Sequence, residues 1–276
     1  MRKAKDKTLK FLMSLCAAVT CLLLIGLIGY LLYRGIPGIN AKFLTTQTSY
    51  ILDSIGILPN ILNTLYLIVL VMIIVVPLGV GAAVYLTEYA SNKRISNAIG
   101  FAVETLTGIP SIIFGLVGML FFTQILGLRQ GILAGSLTLI IMVLPTVISN
   151  TKESLLAVPQ SYREGALALG SGKWHMVRTV VLPNAVDGIV TGCILAVGRV
   201  VGESAALLFT AGFGLKLLGF AEALQSSAAS LTVALYIYAS EEGKFDVAFS
   251  IAVILICITL IINLAASLVG KKVRKS

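Results

Sequence analysis

The sequence predicts an all-α integral membrane protein of six transmembrane helices with both termini in the cytoplasm. Three observations carry that expectation. Apolar runs of about 20 residues, the length that crosses a bilayer as a helix, recur along the chain. Only 12% of the 276 residues are charged, against about a quarter in a soluble domain, and mean hydropathy is +0.99. The basic residues sit in short segments beside apolar runs, the pattern that sets membrane topology. They form no single patch, so the net charge of +9 does not indicate a nucleic-acid surface.

The N-terminus, MRKAKDKTLK, leads into an apolar run over 11–33. That run exceeds the roughly 7–15 residues of a signal-peptide core and lacks a small-residue cleavage site, so it is expected to stay as the first span. A polar interval over 34–59 precedes the second span, 61–86, which contains Pro77, Gly79 and Gly81 and is expected to kink near its end. The third span, 99–125, has an unusually polar first half, ETLTGIPSIIFG, and the fourth covers 132–148 after a very short connection. A long basic segment over 152–183 leads to the fifth span, 186–209. A mixed stretch, 211–246, separates it from the sixth, 247–269, and the tail KKVRKS. Fifteen of the 21 Lys and Arg residues fall on the side of the termini and the 152–183 segment, five on the other side, and Arg199 inside a span. That bias places both termini and the long segment in the cytoplasm. No repeat or linker divides the chain, so 1–276 reads as one transmembrane domain.

Within the cytoplasmic segment, Ser161 and Glu164 fit a capping box opening a short helix that stops at Gly170-Ser171-Gly172. A second short helix is expected from about residue 173 to 181, ending before Pro183. Tyr162, Ala166 and Leu169 recur at helical spacing, a narrow apolar stripe that suits either a partner or the protein's own bundle. Gly170-Ser171-Gly172-Lys173 is no P-loop: Leu167 stands where the first glycine belongs, Trp174 follows the lysine, and no strand precedes it. Cys16, Cys21, Cys193 and Cys257 lie in apolar runs without ligand spacing, so no disulfide frame, metal site or cofactor is expected. His175 has no catalytic neighbour at useful spacing and reads as a surface residue.

Projected as one helix, the fifth span aligns Gly192, Ala196, Arg199, Glu203, Ala206 and Thr210 on one stripe. Gly188/Gly192 and Gly198/Gly202 are small pairs four apart, a spacing that admits a neighbouring helix closely. Asn184 and Asp187 suit the cap and first turn of that helix. Arg199 lies about 20 Å along it, where an unpaired charge costs at least about 2.5–3.5 kcal/mol, and Glu203 one turn on is expected to pair with it. Such a pair serves equally as a register lock or as a guanidinium that lowers the barrier for an oxyanion. With its charge neutralised by Glu203, Arg199 is expected to form no tight oxyanion site.

The spacing Glu164-Gly165-Ala166, then Gly170, then Val180-Val181-Leu182-Pro183 resembles the EAA loop of ABC importer permeases, with Gly165 and Val180 departing from the usual Ala and Ile. TLTGIPSIIFGL from Thr105, REGALALGSGKW from Arg163 and GRVVGESAALLFTAG from Gly198 are similar to the phosphate importer permeases, the last closer to the PstA branch than to the PstC branch. The resemblance covers most of 61–212. It implies a type I (MetI-like) permease fold and a subunit without enzymatic activity. It also implies three partners: a PstB-like ATPase receiving the loop, a second, PstC-like permease chain, and a PstS-like extracytoplasmic phosphate-binding protein. On that resemblance Glu164, Gly165, Ala166, Gly170, Leu182 and Pro183 form the ATPase-coupling element, and Arg199 and Glu203 line the translocation path. Permeases for sulfate or molybdate and an ion-coupled carrier are the alternatives. The carrier would need mid-membrane carboxylates or a duplicated fold that this sequence lacks.

Overall fold

The computed structural model describes residues 2–49 and 54–275. Helix α1, Arg2–Gly35, carries an apolar window of which no residue is buried among the described residues. It meets the body of the protein at its C-terminal end. There the Tyr30 ring stands edge-on to Phe249, and Arg34 pairs with Asp246 at 3.1 Å. The interval that reads as merely polar in the sequence is structured: a 3-10 turn, a short α2 (Ala41–Thr45) capped by the Asn40 side chain, and an antiparallel pair, β1 (Gln47–Ser49) and β2 (Ser54–Ile57).

Helix α3, Leu58–Val84, continues through Pro77; its change of geometry comes later, in a wider π-type turn over Tyr85–Tyr89. Helices α4 (Lys93–Thr107) and α5 (Ser111–Gly118, running on in wider turns to Ile125) replace the single third span expected over 99–125. They meet at 100°. The break has a local cause, because Pro110 disfavours helical backbone at Ile109 and Gly108 serves as the C-cap of α4. Helix α6, Ile132–Leu156, runs two turns past the expected end at 148 and tolerates Pro145 inside it.

Next come α7 (Gln160–Ala168) and α8 (Lys173–Met176), the latter joined through a wider turn over Val177–Val181 to α9 (Leu182–Gly202). The short helices α10 (Ala205–Thr210), α11 (Phe220–Ala223) and α12 (Leu231–Tyr236) precede the last long helix, α13 (Phe245–Lys275). Among the described residues, five helical stretches are long and apolar enough to cross a membrane, and six if the bent α4–α5 pair is one crossing.

The core is the seam where α3, α6 and α9 meet, filled by Leu67, Val71 and Val75, by Leu139, Met142 and Val143, and by Ala196, Val200 and Val201. Lipid is as apolar as these side chains, so close packing rather than escape from water must hold such helices together. Gly188 and Gly192 serve that purpose as expected: a Cβ there would run into Ser154 or Asn150 of α6. Gly198 and Gly202 do not, for a Cβ at either meets nothing within 4 Å. The stretch 211–230 folds over the start of α3. Both the Asn60 and Asn63 amides donate to the Ala229 carbonyl (3.0 and 3.1 Å), and the Leu231 amide donates to Thr64 Oγ1 (2.9 Å). Irregular backbone inside a membrane protein needs such internal partners.

Candidate functional site: the loop helix and the broken fifth helix

Helix α7 is where the sequence places it, with a different start. Pro159 occupies the cap position and Ser161 lies inside the helix, so the capping box does not form. Proline pre-sets the backbone angle and needs no N–H partner, and it wins that position. The stop is as expected. Gly170 adopts φ +81°, with Ser171 N–H on the Ala166 carbonyl (3.1 Å) and Gly170 N–H on Leu167 (2.9 Å), a Schellman turn that favours glycine. Glu164 and Gly165 face outward, together with Tyr162, Leu167 and Leu169, the last 91% exposed. Ala166 turns inward onto a second apolar cluster built from Ala83, Val84, Leu155, Met176, Val177 and Val181.

One polar side chain also ties this helix to the bundle, and in the sequence it is only a charge in a basic segment. Arg163 is buried. Its Nε and Nη2 donate to Glu88 Oε1 at 3.0 and 2.9 Å, Nη1 donates to the Val158 carbonyl at 2.7 Å, and Nη2 also donates to the Leu155 carbonyl at 2.8 Å. The pair is enclosed, with 11% and 6% of the side chains exposed, so these hydrogen bonds offset a desolvation cost of several kcal/mol per ion. Arg163 thereby ties α7 to the end of α3 and to the end of α6. Its only sequence signal is one acidic residue, Glu88, closing an apolar span.

The second short helix does not end before Pro183. From Lys173 to Gly202 the chain is one helical stretch of 30 residues. The wider turn over Val177–Val181 comes just before the proline, where its missing N–H and its ring would disturb regular helical bonding. Asn184 is accordingly no cap: its side-chain amide donates to the Val180 carbonyl at 2.7 Å, and Asp187 lies on the exposed face of α9. Leu182 packs on the second apolar cluster and Pro183 is exposed.

The fifth helix is broken at the residues of interest. Helix α9 ends at Gly202, Glu203 is extended (φ −80°, ψ 121°), and α10 starts at Ala205. Arg199 and Glu203 therefore do not form the expected i,i+4 pair. Glu203 is buried and its Oε1 accepts from the Ala206 N–H at 2.9 Å, capping α10, where a negative charge also suits the helix dipole. Its carbonyl accepts from Thr232 Oγ1 at 2.7 Å. Among the described residues, the partly buried Arg199 side chain has neither ion pair nor hydrogen bond. Gly192, Ala196, Ala206 and Thr210 are buried with Glu203, so that stripe faces protein, and the open face of α9 carries Asp187, Thr191, Leu195 and Gly202. His175 is exposed, the four cysteines are free, and no acidic, histidine and cysteine cluster able to hold a metal occurs among the described residues.

Comparison with known proteins accords with this architecture. Residues 75–275 match the family model described as binding-protein-dependent transport system inner membrane component. A probable ABC transporter permease of Bacillus subtilis, YqgI, is 37% identical over 99% of this chain and 98% of its own length. The phosphate transport system permease PstA of Xylella fastidiosa is 35% identical over 66% of this chain and 63% of its own length. Among solved structures, an alginate ABC importer superposes over 99% of both chains with a TM-score of 0.66 at 16% identity. The methionine ABC transporter MetNI superposes over 79% of this chain and 94% of its own with a TM-score of 0.63 at 22% identity. Such identities speak to fold, and the fold is that of type I importer permeases. An outward-facing loop helix tied to a membrane bundle, with a family match across three-quarters of the chain, makes this protein a member of the inner-membrane permease family of binding-protein-dependent ABC transporters.

Proposed function

We propose that this chain is one permease subunit of a phosphate importer in the cytoplasmic membrane, without catalytic activity of its own. It would work with a PstB-like ATPase, a PstC-like second permease and a PstS-like binding protein. The phosphate assignment is carried by the relatives named phosphate transport system permease PstA, which align at 35% identity over as much as 71% of the chain. The chemistry at Arg199 supports it. A planar guanidinium with no internal partner is a ready donor to a tetrahedral oxyanion. One such charge gives weak, transient binding, as passage requires.

In this reading the bent α4–α5 pair is one of six crossings, and the long loop is cytoplasmic. Support comes from the ends of the pair: the Lys152 side chain near the end of α6 lies against Gly100 of α4, and Gly118 of α5 lies against Thr138 near the start of α6. The ATPase would bear on the exposed face of α7, at Tyr162, Glu164, Gly165 and Leu167. Arg163 passes displacement of α7 to α3 and α6, and the unbroken stretch from Lys173 to Gly202 carries Arg199 near its far end.

The test is labelled phosphate uptake, with sulfate as control, in cells whose only copy is wild type or Arg199→Gln at matched membrane levels. Phosphate-selective uptake that the variant loses supports both substrate and site. Normal uptake by the variant refutes the site, and sulfate uptake by wild type refutes the substrate. Co-purification of an ATPase, lost on Glu164→Lys, tests the docking face separately.

A further inference from the structure

A groove of about 600 Å³ runs between the C-terminal half of α3 and the stretch that joins α8 to α9. Its walls are Val76, Val80 and Gly81 on one side and Trp174 and Leu182 on the other, with Tyr85 and Tyr89 at one end. Its size falls within the about 300–1,000 Å³ usual for small-molecule sites. The groove has a wet end and a dry end. Tyr89 closes one membrane-length stretch and Lys173 opens another, so both lie where those apolar helices pass into polar segments of the chain. Val76, Val80 and Gly81 lie deeper along α3. Tyr85, Tyr89 and the 60%-exposed Trp174 are the residue types that settle at headgroup level.

The wet end is also basic. Lys173 Nζ sits 5.1 Å from the centre of the Tyr89 ring, held at the groove mouth. Arg178, exposed, falls midway between the two wall residues Trp174 and Leu182, four positions from each. No acidic residue occurs between Lys173 and Val186, and Glu88 on the facing element is spent on Arg163. An apolar slot opening beneath two cations at the membrane surface has the amphipathic pattern of a phospholipid. A zwitterionic headgroup brings its own ammonium beside the phosphate and so offsets less of this charge than an anionic one.

We propose that this groove binds an anionic glycerophospholipid of the leaflet nearest the coupling helix, with one acyl chain between α3 and α9 and the phosphate at Lys173 and Arg178. The site touches the helix that carries Arg199 and the π-type turn that carries Glu88, so lipid there stiffens the joint between loop and bundle. The inference rests on the membrane fold and not on phosphate as substrate.

Trp174 is the chain's one tryptophan, which gives a direct reading. The full chain is reconstituted in phosphatidylcholine vesicles, and Trp174 fluorescence is followed as acyl-brominated phosphatidylglycerol or phosphatidylcholine is added. Two cations worth a factor of about five each give an expected preference of about 25-fold at low ionic strength in the mole fraction needed for half-quenching. Lys173→Gln with Arg178→Gln should abolish the preference. Gly81→Leu should weaken quenching by both lipids by filling the slot; a Cβ there meets nothing within 4 Å, so the fold tolerates it. Equal quenching of the wild type by the two lipids, or none by either, overturns the proposal. So does a preference that survives the double substitution, or quenching that Gly81→Leu leaves unchanged.

Discussion

Removing the carboxylate of Glu88 isolates the tie between α7 and the membrane bundle. Glu88→Gln is nearly isosteric and leaves the backbone of the Tyr85–Tyr89 turn alone. Arg163 would keep its donations to the Val158 and Leu155 carbonyls, at 2.7 and 2.8 Å, and lose the charge partner of its other two. Breaking a buried pair by removing one member costs about 3–5 kcal/mol, because the remaining charge stays desolvated. The two surviving carbonyl bonds and the amide oxygen that replaces the carboxylate place this case at the lower end, about 3 kcal/mol. At about 1.4 kcal/mol per tenfold, that raises the undocked fraction of α7 roughly 100-fold. Trypsin reads the opening, since cleavage after Arg163 tracks the open population when reclosing is fast. Cleavage in membrane vesicles should therefore accelerate by up to about two orders of magnitude, with transport falling alongside. A cycle completed with Arg163→Gln and the double variant, read by α7 docking through labelling of a cysteine placed at Ala166, should show a coupling energy near the top of the about 0.5–3 kcal/mol range. Cleavage within twofold of wild type, or strictly additive effects in the cycle, would show that Arg163 does not hold the helix.

Other changes test the same elements. Gly170→Ala forces an L side chain into a left-handed turn at φ +81° and should destabilise the end of α7 by about 1–2 kcal/mol, seen as weaker ATPase co-purification. Gly165→Ala, where a Cβ meets nothing within 4 Å, should stabilise α7 by about 1 kcal/mol by hydrogen exchange and leave transport intact; a loss of transport would mean that a partner needs the missing methyl's space. Glu203→Ala should cost about 0.5–2 kcal/mol in thermal stability, whereas Glu203→Gln, which still offers an oxygen to the Ala206 N–H, should cost less. Equal losses would instead favour an ion pair with Arg199. Gly188→Val should lower thermal stability by about 1–3 kcal/mol, because its side chain would overlap Ser154 across the α6–α9 contact.

The two helix breaks were written in the sequence in a form that hydropathy overrides. Gly108 with Pro110, and Gly202 with Ser204 before an apolar run, are ordinary stop and start signals. Each lies inside a run long enough to be one span, so length prevailed over punctuation. Pro183 misled in the other direction. A proline usually opens a helix, but one wider turn upstream absorbed it and left the stretch continuous.

What the sequence determined by itself was the class of molecule. Apolar length, the distribution of Lys and Arg, the Gly170 turn and the spacing from Glu164 to Pro183 are local quantities, and local quantities are legible in one dimension. The partnership of Arg163 with Glu88, 75 residues apart, was decided only in three dimensions, as was the separation of Arg199 from Glu203. A charge inside a membrane protein takes whichever partner the packing brings within about 3 Å, and a near neighbour in sequence has no priority once the backbone between them turns away.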